Sequence, residues 1–259
     1  MYPYIHIGPI QLGTYGICAA IGAVASYLIL RADLARHQYR KETAATFVVI
    51  TSLVGIAGAK IYYLLETPHS LHGGLFKALT EPNGLSWLGG LTAGTVTICL
   101  LRLPYGIPLL TMLDLAAPVG AIAYGFGRLG CLMAGDGDYG TPTSLPWGMS
   151  FPHGTVPTFE RVHPTPIYEA AFSFVLCWAL WKMGKRSPAP GKIAGTYLII
   201  SGAARFAVEF IKLNPKVYFG LTNSQVVSLV SILAGALILI IIRGRAPVQP
   251  ANVTAGLNI

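Results

Sequence analysis

The sequence predicts an all-α, polytopic membrane protein of about seven transmembrane helices, with the N-terminus outside and the C-terminus cytoplasmic. Three observations predict it. Of 259 residues, 53% are hydrophobic and only 11% charged, where a soluble domain carries about a quarter charged. Mean hydropathy is +0.59, and apolar runs near the ~20 residues that cross a bilayer recur along the length. Lys and Arg gather in short connections at one side of those runs, as cytoplasmic loops do. That placement argues against nucleic acid as the partner behind the net charge of +8.

The apolar runs give helices at roughly 13–30, 44–65, 85–103, 109–130, 166–183, 193–212 and 223–242. The first connection, RADLARHQYRKE, carries Arg31, Arg36, Arg40 and Lys41; the third carries Arg102. The fifth helix ends in Lys182, Lys185, Arg186 and Lys192, and the last is followed by Arg243 and Arg245. The opposite connections offer Lys77, Arg161 and Lys216. The asymmetry sets the topology. Residues 1–245 read as one transmembrane domain and 246–259 as a flexible cytoplasmic tail. The opening MYPYIHIGPIQLG lacks a basic n-region, so the first apolar run reads as a helix rather than a cleaved signal. Cys18, Cys99, Cys131 and Cys177 form no CxxC pair, which speaks against a disulfide framework or a zinc site.

Four basic residues, Lys60, Arg128, Arg205 and Lys212, fall within or at the ends of helices. With the predicted directions they lie toward the outer side. Tyr15, Gly89, Gly90, Tyr168, Glu169 and Gln225 start their helices near the same face; only Asp114 belongs to the inner half. A charge within a membrane helix costs at least ~2.5–3.5 kcal/mol, so each needs a partner or a purpose. Arg205 and Glu209 are spaced i,i+4 and Lys212 follows Glu209 by three, one helical face. Glu209 and Lys212 read as a structural ion pair.

Arg128 has no acid at i±3 or i±4. Asp136, in GDGDYG, is the nearest in sequence. The glycines around it, through Gly140, allow close helix packing or a backbone that wraps an anion. A guanidinium binds phosphate bidentately, and a second arginine would complete a clamp for a phospholipid headgroup. Glu169, in the first turn of its helix, either complements the helix dipole or serves the site. His163 reads as a general base near neutral pH or as an interfacial histidine. His69, His72 and His153 lack ligand spacing, so no metal is expected, and no cofactor.

Taken in order, GAKIYYLLE (58–66), GRLG (127–130), HPTPIYE (163–169), RFAVEFIK (205–212) and NSQVVSL (223–229) resemble the motifs of the prolipoprotein diacylglyceryl transferase family. The resemblance runs from Tyr15–Gly16 to the final helix. It implies seven helices in the bacterial inner membrane and two substrates, phosphatidylglycerol and the lipobox cysteine of a prolipoprotein. The diacylglyceryl group moves to sulfur and glycerol-1-phosphate leaves. Arg128 and Arg205 match the family's essential arginines, and Tyr15 a headgroup-site tyrosine. Tyr168, Gly140 and Gln225 fall in the matching motifs. The chain departs from the pattern at Leu88, where the family has the histidine of His-Gly-Gly, and at Lys60, where it has arginine. Cys131 and Ala134 replace asparagines, Asp136 a glutamate, and GDGDYG is one residue longer. A phospholipid-binding paralogue, without thiol transfer or with another acceptor, is the alternative.

Overall fold

The computed structural model describes residues 3–8, 10–69, 74–80, 84–186 and 188–244. Eight α-helices are found among them: α1 Thr14–Arg36, α2 Thr43–Glu66, α3 Leu75–Thr80, α4 Trp87–Leu101, α5 Leu109–Ala134, α6 Thr165–Gly184, α7 Lys192–Val208 and α8 Asn223–Ile241. Seven of them coincide with the predicted segments. Six stretches are long and apolar enough to cross a membrane: α1, α2, α4 with the turn that follows it, α5, α7 with its own closing turn, and α8. α6 does not meet that standard, because Glu169 and Lys182 stand near its ends. The tail 246–259 and His72 lie outside the described residues.

Membrane solvation shows in what is buried. Large aliphatic side chains such as Ile21, Leu53, Ile56, Val175, Leu233 and Ile240 are exposed, while Ser26, Lys60, Thr97, Glu169, Ser173 and Ser228 are buried. In water this arrangement would be costly; against lipid tails it is the expected one. The interior is therefore held by close fit. Gly58 and Gly89 bring α2 and α4 together: a Cβ on Gly89 would stand 2.5 Å from the Gly58 carbonyl oxygen. Gly195 and Gly235 do the same for α7 and α8. Leu34, Phe47, Met112 and Leu115 tie α1, α2 and α5 together, and Ala121, Leu176, Leu180 and Ile193 tie α5 to α6 and α7.

Two boundaries move from the predicted ones. α1 continues past Leu30 because RADLAR is composed of good helix formers and closes with an Asp33–Arg36 ion pair at 2.7 Å. α5 continues past Gly130 to Ala134, where Gly135, at φ 59°, caps it in the left-handed region. Three antiparallel hairpins were not anticipated: β1 Tyr4–Ile7 with β2 Ile10–Gly13, β3 Met149–Phe151 with β4 Thr158–Val162, and β5 Lys216–Tyr218 with β6 Leu221–Thr222. Each has two strands of two to five residues, too short for an alternating pattern to stand out. β3 and β4 close over the end of α5 with Leu132, Tyr139, Phe151 and Val162 as a small core.

Candidate functional site

α5, α6, α7 and α8 bring their charged residues to one end of the bundle. Glu169, in the first turn of α6, is buried at their centre. Its Oε1 accepts from Arg205 Nη1 at 2.6 Å and Tyr124 Oη at 2.5 Å, with Arg128 Nε at 3.8 Å. Its Oε2 lies 2.8 Å from Lys212 Nζ. Arg205 Nη2 also donates to Ser224 Oγ at 2.9 Å and pairs with Glu209 Oε2 at 3.2 Å. Glu209 Oε1 accepts from Asn214 Nδ2 at 2.5 Å. The guanidinium of Arg128 lies 4.7 Å from the centre of the Tyr124 ring.

Arg128 does have an acid, and it is Asp138. The two form an ion pair, and Asp138 Oδ1 accepts from Lys212 Nζ at 2.6 Å. The loop is fixed locally: Asp136 Oδ1 accepts from the Asp138 amide at 3.3 Å, and Thr165 Oγ1 donates to the Asp138 carbonyl at 2.6 Å. Upstream, Gly135 and Gly154 meet backbone to backbone; a Cβ on Gly135 would stand 2.7 Å from the Gly154 Cα. Thr155 and Val156 then donate their amides to the carbonyls of Ala134 and Gly135 at 2.9 and 2.8 Å.

The predicted ion pair is corrected by these contacts. Glu209 pairs with Arg205, as the i,i+4 spacing suggested, but Lys212 turns to Asp138 and Glu169. α7 gives way to a 3-10 turn, Glu209–Ile211, and Lys212 just beyond it is extended, at φ −89° and ψ 157°, so its side chain leaves the helical face. The resulting network has three cations, Arg128, Arg205 and Lys212, facing three carboxylates, Asp138, Glu169 and Glu209.

A cavity of about 1330 Å³ opens beside it. Arg128 and Arg205 both line this space, with Tyr15, Cys131, Asp136, Asp138 and Tyr168 near the charges and Leu91, Leu176, Leu198 and Val227 away from them. A polar end joined to an apolar remainder suits an amphiphile. Tyr168 Oη accepts from Trp147 Nε1 at 2.8 Å and lies 3.4 Å from His163 Nδ1.

Several sequence-predicted site residues are not brought to the cavity. Gly89 and Gly90 face α2, where they permit the close α2–α4 contact. Lys60 is buried on α2 with its Nζ 5.7 Å from the Tyr63 ring centre. Gly140 sits in a seam where its amide donates to the His163 carbonyl at 2.9 Å, and a Cβ would stand 2.5 Å from the Ile211 carbonyl oxygen. Gln225 closes a capping box with Thr222 at the start of α8. His163 is not among the lining residues but lies beside one of them, Tyr168, and Leu88 does not line the cavity. Conversely, Tyr124, Asp138 and Ser224 were missed. Asp138 lay one acid beyond the nearest, and the doubled aspartate of GDGDYG was the available signal.

An apolar helical bundle with buried ion pairs opening on a large amphiphilic cavity defines a polytopic membrane protein with a lipid-sized site. Comparison with known proteins is more specific: the model of the prolipoprotein diacylglyceryl transferase family matches residues 3–241, and the chain belongs to that family, one of transferases. It is 31% identical to the phosphatidylglycerol–prolipoprotein diacylglyceryl transferase of Clostridium tetani, covering 89% of this chain and 93% of that protein. A Clostridium perfringens relative, numbered 2 under the same name, is 30% identical over 88% and 90%. A Methylococcus capsulatus relative is 31% identical over 91% and 92%.

Proposed function

We propose that this chain transfers the diacylglyceryl group of phosphatidylglycerol to the lipobox cysteine thiol of prolipoproteins, releasing glycerol-1-phosphate. The reaction takes place at the outer leaflet of the bacterial inner membrane, with seven spans, the N-terminus outside and the C-terminus cytoplasmic. One observation carries the reading: two guanidinium groups, from α5 and α7, converge on Glu169 and line one cavity. Attack of sulfur on the glyceryl carbon expels a phosphate ester, and negative charge grows on its oxygens. Arginines held in a water-poor site stabilise that charge more as it develops than in the ground state. Arg128 and Arg205 therefore bind the phosphodiester and hold it as it leaves. Tyr15, Cys131 and Asp136 border the headgroup, and His163 positions Tyr168 at the cavity wall.

The test is direct. Purified protein in nanodiscs containing phosphatidylglycerol is given a lipobox peptide, and glycerol phosphate and lipidated peptide are measured. Both products are expected in equal amounts. Their absence, with lipid still bound, would favour the phospholipid-binding alternative. One observation speaks for that alternative: no histidine lines the cavity among the described residues, so the thiol lacks the commonest proton acceptor.

A further inference from the structure

We propose that Asp138 is the base that accepts the thiol proton, and that the incoming phosphodiester frees it for that role. The inference rests on the function proposed above. Its ground is the charge balance of the network. Three cations already face three carboxylates, so a phosphodiester bearing one negative charge cannot take a guanidinium without displacing a carboxylate.

Asp138 is the one placed to yield. Its side chain is 23% exposed, against 5% for Glu169 and 0% for Glu209. Glu169 is held by Arg205, Lys212 and Tyr124 together, and Glu209 by Arg205 and Asn214. Among the described residues the Asp138 carboxylate pairs with Arg128 and Lys212 alone, and Lys212 keeps Glu169 as a partner when Asp138 turns away. Asp136, also on the cavity wall, is exposed and forms no ion pair among the described residues. A carboxylate that has just lost a cationic neighbour in a water-poor site is a stronger base.

The step balances. The phosphodiester takes Arg128 and Arg205, and Asp138 swings free of Arg128. The thiol S–H proton passes to an Asp138 carboxylate oxygen. Sulfur forms a bond to the glyceryl carbon, the carbon–oxygen bond to phosphate breaks, and its electron pair stays on the phosphate oxygen. The departing phosphomonoester, whose second pKa is about 6, takes the proton from the Asp138 carboxyl. Asp138 then returns to Arg128. Before the lipid arrives, the charged groups around Asp138 are Arg128 on α5, Glu169 on α6, Lys212 after α7, and Asp136 on its own loop, with Arg205 and Glu209 behind them.

Asp138→Asn tests this in phosphatidylglycerol nanodiscs with the lipobox peptide. The expected result is a fall in kcat of about 100-fold or more, with affinity for short-chain phosphatidylglycerol unchanged or tighter because the competing carboxylate is gone. The residual rate of the variant should climb close to tenfold per pH unit toward the free thiol's pKa of ~8.5, while the wild type climbs less steeply. Asp138→Glu should recover part of kcat. An unchanged or raised kcat in Asp138→Asn would overturn the proposal, as would a parallel loss of kcat and lipid affinity that Asp138→Glu also shows. A wild-type protein that binds the lipid and turns over no peptide would instead reject the transferase reading itself.

Discussion

Asp114 and Glu169 are both buried carboxylates in an apolar bundle, and they are satisfied in opposite ways. Asp114, on α5, accepts from the amides of Gly191 and Ala194, each at 2.7 Å, at the start of α7. Its partners are backbone groups at a helix N-terminus, which suits a negative charge and cannot move away. Glu169 is held by side chains from three other parts of the chain, and two of those side chains line a cavity. Burial and charge are therefore the same for both, and the kind of partner separates them. A carboxylate bound by backbone locks a helix in place. One bound by long cationic side chains leaves cations that a ligand can claim.

Substitutions can break that contrast, beginning with the largest effect. Arg128→Gln should abolish retention of phosphatidylglycerol in detergent and lower glycerol phosphate release by about 1000-fold, the loss expected for a main charge-stabilising group. Wild-type release from that variant would remove the basis of the functional proposal. Glu169→Gln leaves three cations facing two carboxylates and should destabilise the bundle by about 3–5 kcal/mol, seen as a lower Tm in thermal unfolding. Asp114→Asn should cost about 1–3 kcal/mol through a weakened cap on α7 while leaving lipid affinity unchanged. A clear drop in lipid affinity there would show that the two carboxylates are not distinct in kind. Gln225→Ala should cost about 0.5–2 kcal/mol of stability by opening the α8 capping box. Leu88→His, measured by peptide turnover, should add nothing, because the side chain at that position does not line the cavity.

The helices were legible because lipid imposes a long apolar run on each crossing, and six such stretches stand out among the described residues. The capping turns were less so: α1 outran its apolar stretch because Asp33 and Arg36 satisfy each other. In the site, Arg128 and Arg205 were legible from the cost of charge in an apolar helix. Their partners were not. Asp138 and Glu169 reach Arg128 across the fold, from sequence distances where spacing rules say nothing. Gly89, Gly90 and Gln225, read from the sequence as site residues, make helix contacts and a cap in the fold. A glycine that lets two helices touch and a glutamine that caps one look, in a sequence, like residues reserved for a ligand.

The interlocked backbones at Gly135 and Gly154 bear on how the protein is made. The last turn of α5 has acceptors for Thr155 and Val156 that remain open until the ribosome has delivered those residues, and the Asp138 loop between them is shaped only then. Glu169, Arg205, Lys212 and Ser224 follow later still. A nascent chain thus carries Arg128 from about the midpoint of synthesis, ahead of the Asp138 and Glu169 that neutralise it, and the complete charge network appears only once the start of α8 has emerged.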